Sequence, residues 1–283
     1  MTVKIVTDSI SDLPEIVKTE LGITVVPMMV NFGEETFRDG IDLTPDQFYK
    51  KLETSKVFPH TSVPPPGVFA NTYDNLASET EEILVITVSS KLTATYDVAL
   101  QGIKLMNRKC HIEVIDSRWA TMAQGFIVMA AARLAKTGAS YQEVKKETQR
   151  MISRVEFHAT FDTLEYLRRG GRIGRAGAFI GSILRVNPII TLKDGIVEPV
   201  GRVRSRAQAL DQLFEFARSC PLIEEMAVED TKCPEEADKL VERLGSLYPK
   251  ERIYRSKMTP AVGTHTGPGL LLIAIQGEPH PRI

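Results

Sequence analysis

Residues 83–90 read Ile-Leu-Val-Ile-Thr-Val-Ser-Ser, six apolar or β-branched positions in a row closed by two hydroxyls. A run without alternation or charge is a strand buried on both faces, as in a parallel sheet covered by helices on either side. Residues 3–7, 24–30 and 112–116 are also short, β-branched and bounded by polar turns, and read as its neighbours. Helices with recognisable starts separate them. Thr44-Pro45 followed by Gln47 is a cap, a first-turn proline and a capping-box partner, and Ser140 with Glu143 repeats the device.

Right-handed crossovers between parallel strands bring their carboxyl ends to one edge, where the following loops converge on a ligand. The hydroxyl-rich segments fall there: Asp8-Ser9-Ile10-Ser11-Asp12 after the first strand, Ser89-Ser90 after the third and Asp116-Ser117 after the fourth. After about residue 155 the rhythm changes. Residues 188–193, the turn Asp194-Gly195 and residues 196–203 carry a hairpin signal. Helical 205–218, a strand near 225–229, helix 234–247 and a strand near 252–257 follow, and the apolar run 270–275 could pair with either half. The expected fold is therefore α/β: a parallel-sheet domain with helices on both faces over residues 1–155 and an α+β domain over 156–283. A chain of 283 residues exceeds what one core usually serves, so a ligand crevice is expected between the two.

Bulk composition excludes several classes. Net charge is −1 with 43% hydrophobic residues, which gives no basis for nucleic-acid binding. The apolar charge-free run between Arg118 and Arg133 is too short to span a bilayer, and the N-terminus enters a strand without a signal-like core. A cytoplasmic location is expected. Cys110, Cys220 and Cys233 are far apart, lack a CxxC pair and have no histidine at metal-ligand spacing, so no metal is expected.

Four segments carry possible chemistry. Thr61-Ser62-Val63-Pro64-Pro65-Pro66-Gly67 places two hydroxyls before a stiff proline run that suits either a ligand loop or a helix start. Ser89-Ser90-Lys91-Leu92-Thr93-Ala94-Thr95-Tyr96 leads from a buried strand into a helix, where amides and hydroxyls cap the helix or meet an anion. Gly263-Thr264-His265-Thr266-Gly267-Pro268-Gly269 reads as an irregular loop presenting one imidazole. Between Arg168 and Arg206 lie eight Arg and one Lys against only Asp194 and Glu198, either a solvated face or a docking patch for phosphate or an acidic surface.

Together these segments resemble the DegV family across nearly the whole chain. The resemblance rests on Thr7-Asp8-Ser9 with Asp12-Leu13-Pro14, Thr61-Ser62 with Pro64, Ser89-Ser90 with Leu92 and Thr95-Tyr96, and Leu164-Glu165-Tyr166-Leu167 running into Gly170-Gly171-Arg172-Ile173. Val203-Arg204-Ser205-Arg206 and His265 with Gly267-Pro268-Gly269 complete it. It implies a fatty-acid-binding carrier, without enzymatic activity or cofactor of its own, that buries a long-chain fatty acid between its domains. A separate fatty acid kinase would phosphorylate the exposed carboxylate, and a downstream acyltransferase would take the product. The implied head-group ligands are Thr61, Ser62, Thr93, the Ala94 amide, Arg172 and His265; the implied partner-docking residues are Arg202, Arg204 and Arg206. The sequence departs from the family at Pro65, where serine is common, and at Thr93-Ala94, where Ser-Gly is common, but keeps a hydroxyl and an amide at the latter. Phe179, Ile180, Ile183 and Leu184 are candidate tunnel residues.

Two other chemistries were weighed. A hydrolase would use Ser9 or Ser90 with His265 and Asp8 or Asp116, yet no GxSxG elbow is present. The glycines at 170, 171, 174 and 177 match neither nucleotide-loop pattern.

Overall fold

The computed structural model describes residues 2–179 and 186–278. Its first half contains β1 (Lys4–Asp8), β2 (Thr24–Val26), β3 (Met29–Phe32), β4 (Glu35–Arg38), β5 (His60–Ser62), β6 (Glu82–Thr87) and β7 (His111–Asp116). Helices α1 (Glu15–Leu21), α2 (Pro45–Thr54), α3 (Pro66–Leu76), α4 (Thr95–Leu105), α5 (Thr121–Lys136) and α6 (Tyr141–Met151) accompany them. The buried runs pair as expected: β2-β1-β6-β7 is entirely parallel. The connection from β1 leads to one side and later strands add on the other, so strand order reverses between β1 and β6. Asp8 ends β1 at that point and accepts from the Val88 amide (2.7 Å), the Ile10 amide (3.1 Å) and Gln124 Nε2 (3.2 Å). Desolvation pushes the buried Asp8 carboxyl up to about 6.

Residues 24–30 do not form one strand. Pro27 removes a ladder donor, so β2 stops at Val26 and the chain turns into β3, which belongs to a separate antiparallel sheet ordered β4-β3-β5. Sequence reading missed this sheet because its strands have only three or four residues and mixed polarity. Both expected capping boxes are present, Thr44 with Gln47 and Ser140 with Glu143.

The second half is one six-stranded mixed sheet, built from β8 (Val155–Thr160), β9 (Asn187–Lys193), β10 (Ile196–Val203), β11 (Ile223–Asp230), β12 (Tyr254–Lys257) and β13 (Leu271–Gly277) in the order β10-β9-β8-β13-β11-β12. Its helices are α7 (Glu165–Arg169), α8 (Arg206–Ser219), α9 (Pro234–Leu244) and α10 (Pro260–Thr266). Asp194 and Gly195 both take positive φ, giving the two-residue hairpin turn their sequence called for. The final apolar run, β13, lies between β8 and β11. β8 was not foreseen; its alternation of Val155, Phe157 and Ala159 with Glu156 and His158 is a strand signal in hindsight.

A continuous apolar core runs from Val3 and Ile5 of the first half through α5 to Phe157, Leu192 and Leu272 of the second. A second, smaller core under α8 and α9 holds the outer face of the six-stranded sheet. The 263–269 segment is not an irregular loop: its first part is α10, and His265 occupies the last helical turn before Gly267 reverses the chain at φ 69°. Pro260 at the first helical position, after Thr259, was the overlooked start signal. Though late in sequence, α10 packs on the small first-half sheet, where Ala261 joins Met28, Val30 and Phe48.

Candidate functional site

An apolar cavity with about 760 Å³ of space free of protein atoms, part of it open to solvent, lies between the halves. Phe157 and Ala159 of β8, Ile190 and Leu192 of β9, and Leu272 of β13 form one wall. Val88 and Leu92 after β6, Ala120 before α5, and Ala261 and Val262 of α10 form the other. The alternation of β8 and β9 explains the selection, since every second residue of a strand faces the same side. Latching the hairpin over the cavity, Ser89 Oγ donates to the Gly195 carbonyl (2.8 Å), and a Cβ at Gly195 would collide with that hydroxyl.

Few polar groups face this space, and four of them are linked. Thr61 Oγ1 of β5 lies 2.7 Å from His265 Nε2 of α10. Burial, with the positive charge of Arg172 nearby, lowers the His265 pKa to about 4, so the imidazole is neutral at physiological pH. Arg172 Nε in turn donates to the Leu92 carbonyl (3.0 Å), and a second nitrogen donates to the Gly170 carbonyl. Thr93, next to Leu92, lines the same space and exchanges a hydrogen bond with Thr95 (3.1 Å). Among the described residues no acidic side chain forms an ion pair with Arg172, so its charge meets only neutral acceptors.

The supports are specific. Gly170 lies so close to His265 Nδ1 that any Cβ would overlap the ring, and Gly267 is held equally close to Tyr166. Tyr166 stacks on Phe58 at 5.3 Å, and Arg169 lies over Phe58 at 5.1 Å. Gly170 therefore supplies clearance for an imidazole, a role sequence reading did not assign.

Of the residues singled out from sequence, Thr61, Thr93, Arg172 and His265 line the cavity. Ser62 and Ala94 do not. Ser62, the next residue along β5, is exposed and accepts from Asn31 Nδ2 (3.1 Å); Ala94 is exposed at the start of α4. Arg206 is half-buried and engaged with Glu236 (2.7 Å) and the Gly269 carbonyl (2.9 Å), a structural clasp. Arg202 and Arg204 are exposed, Arg202 lying over Phe179 at 6.0 Å. Elsewhere in the basic tract Glu165 answers both Arg168 and Arg169, and Glu198 answers Arg175. Arg185 and the candidate tunnel residues Ile180, Ile183 and Leu184 lie outside the described residues.

The hydrolase set does not assemble. Ser9 Oγ donates to Asp39 Oδ2 (2.6 Å), Ser90 Oγ donates to Asp116 Oδ2 (2.5 Å), and the hydroxyl beside His265 belongs to Thr61.

Two α/β halves closing on an apolar cavity, with one polar cluster of hydroxyls, neutral imidazole and unneutralised arginine, define a protein built to enclose a small amphipathic molecule. The chain belongs to the DegV family: the family model described as "Uncharacterised protein, DegV family" matches residues 2–278. It is 32% identical over 277 residues to the protein DegV of Bacillus subtilis, spanning 96% of this chain and 98% of that protein. Its fold is similar to that of a fatty-acid-binding DegV family protein from Thermus thermophilus, with TM-score 0.90, 31% identity, and 98% and 100% of the two chains covered. It is likewise similar to DegV, a fatty acid binding protein from Bacillus subtilis, with TM-score 0.89, 31% identity, and 98% and 99% covered.

Proposed function

We propose that this chain is a carrier that buries a long-chain fatty acid in the cavity, with the carboxylate at Thr61, Thr93, Arg172 and His265, and presents it to a separate fatty acid kinase. The observation that carries this reading is Arg172: a cation without an acidic partner among the described residues, at the polar cluster of an otherwise apolar cavity, matches an amphipathic anion. The solved DegV relatives described as fatty acid binding support the same ligand class.

The energetics divide between the two ends of the ligand. Burying a methylene contributes about 0.8 kcal/mol, so a tail of about fifteen supplies on the order of 12 kcal/mol before entropy and reorganisation are subtracted. A buried carboxylate without donors opposes binding by several kcal/mol, so the polar cluster makes its burial tolerable and fixes its direction. With the proton on Nε2, His265 donates to Thr61 Oγ1 and leaves the threonine O–H free to donate to the carboxylate. Ser62 and Ala94, outside the cavity wall, are assigned to the rim of the site. Arg202 and Arg204 are assigned to kinase docking, and Arg206 to holding α8 against α9 beside it. The phosphorylated product, an acyl phosphate, would stay enclosed until an acyltransferase takes it.

Titration with palmitic acid and with the alcohol of equal length tests this. Tight one-to-one binding of the acid and markedly weaker binding of the alcohol is expected; equal affinities would remove the carboxylate site.

A further inference from the structure

Two carboxyl groups outside the ligand site are buried where the halves meet. Asp12 ends the loop after β1, Glu229 lies in β11, and both are nearly solvent-free. Glu229 is in register with Ser256 of β12, and Ser256 Oγ donates to the Asp12 carbonyl (2.7 Å), which brings the two carboxyls within hydrogen-bonding reach. One oxygen of each accepts from a backbone amide: Asp12 Oδ1 from Thr259 (2.8 Å) and Glu229 Oε2 from Met122 (3.0 Å). The remaining oxygens, Asp12 Oδ2 and Glu229 Oε1, have no hydrogen-bond partner. Two ionised carboxylates so placed would repel without compensation, whereas one proton between them satisfies both orphan oxygens at once.

Among the described residues no cation is free to neutralise the pair in place of that proton. Arg255 of β12, the cation acting on Glu229, is already paired with Asp230 (2.7 Å) and Asp238 (3.0 Å). Asp39, after β4, adds negative charge beside Asp12 and itself accepts from Ser9 and the Ala261 amide; Lys18 of α1 acts on Asp39. Tyr49 of α2 faces Asp12 and Asp230, while the Thr121 and Thr259 hydroxyls can donate to Glu229 and Asp12 but leave the charge of the pair unneutralised.

Both amides held by the pair begin helices of the cavity wall. Thr259 caps α10, which carries Ala261, Val262 and His265; Met122 lies in the first turn of α5, directly after the lining residues Ala120 and Thr121. We propose that Asp12 and Glu229 share one proton and act as positioning residues, pinning the start of α10 so that His265 meets Thr61. The consequence for affinity rests on the fatty-acid reading; the shared proton does not.

Raising the pH removes the proton, and two facing carboxylates then push the helix starts apart. Burial, with each carboxyl facing the other, holds both Asp12 and Glu229 well above the ordinary carboxylate range. For acids raised on folding, the stabilisation is complete below the unfolded value and is lost as pH rises through the folded one, here under mildly alkaline conditions.

Glu229→Gln tests this, because its amide can accept from Met122 and donate to Asp12 Oδ2 with no proton to lose. Ring ¹⁵N shifts of His265 are followed in the ligand-free protein from about pH 6.5 to about pH 9.5, a window in which a neutral ring of low pKa does not itself titrate. The wild type is expected to show one step on the alkaline side of neutrality, and Glu229→Gln none. Over the same window palmitic acid should bind the wild type about tenfold or more weakly at the alkaline end, and the variant equally throughout. Asp12→Asn carries the same test should Glu229→Gln fail to fold. A flat wild-type profile, or a step that persists in the amide variants, overturns the proposal. A step that disappears in the variants while palmitic acid binds at no pH upholds the shared proton and removes the fatty-acid reading instead.

Discussion

The Thr61 hydroxyl and the His265 Nε2 lie 2.7 Å apart across 204 residues of sequence, joining the small β4-β3-β5 sheet to the last helix of the chain. The polar end of the cavity therefore exists only when both halves are in place. Replacing Thr61 by Val, or His265 by Ala, should cost about 1–3 kcal/mol in fatty acid affinity, a weakening of about tenfold or more. Calorimetric titration of each variant checks this, and a double variant no weaker than the worse single one would show that the two act as a unit.

Gly170 carries a second prediction. A methyl group there would occupy the space of the His265 ring, and the helix backbone on which Gly170 sits offers no slack. Gly170→Ala should displace the imidazole and lower affinity by about 1–3 kcal/mol, the range of overpacking penalties. The far-ultraviolet circular dichroism spectrum should stay unchanged.

The third prediction concerns acid. His265 is a base whose pKa falls on folding from about 6.5 to about 4, so its contribution to stability is complete above the unfolded value and is lost as pH falls through the folded one. Its ring should stay neutral by NMR at about pH 5.5 and protonate only near the lower value. Protonation at the ordinary histidine value would mean that the ring is not buried beside Arg172.

A fourth test separates tail from head. Ala159 is fully buried in β8 and faces the cavity. Ala159→Trp would fill part of the tail volume and should reduce affinity for palmitic acid far more than for a medium-chain acid. A uniform loss for both lengths would place the tail elsewhere.

Arg202 offers a fifth. It is exposed and far less constrained than Arg206, with Phe179 beneath it. Arg202→Ala should leave fatty acid binding intact while slowing phosphorylation of the loaded carrier by a cognate kinase. The gap between wild type and variant should narrow as salt rises, because steering is screened beyond about 8 Å at physiological ionic strength. Equal rates at low salt would remove Arg202 from the docking face.

The parallel sheet was legible because its central strands β1 and β6 are buried on both faces, and residues 83–88 could be little else. The β4-β3-β5 sheet was hidden by short strands, and Pro27 marks the break that reading residues 24–30 as one strand passed over. His265 was recognised as functional from its glycine-rich setting, while the same glycines concealed α10, whose start lies in Thr259-Pro260. Thr61 and Ser62 looked equivalent in sequence, but adjacent strand residues point to opposite faces and only Thr61 lines the cavity. Partners 80 residues apart, such as Arg172 and the Leu92 carbonyl, leave no local signature.

The most direct test of the central claim is denaturing extraction and mass spectrometry of the protein purified from a bacterial host. An apolar cavity with an anion-accepting end should retain cellular lipid, so a long-chain fatty acid near one equivalent per chain is expected, and His265→Ala with Arg172→Ala should lower that occupancy. Repeated preparations without an acyl chain, together with no uptake of added fatty acid, would contradict it.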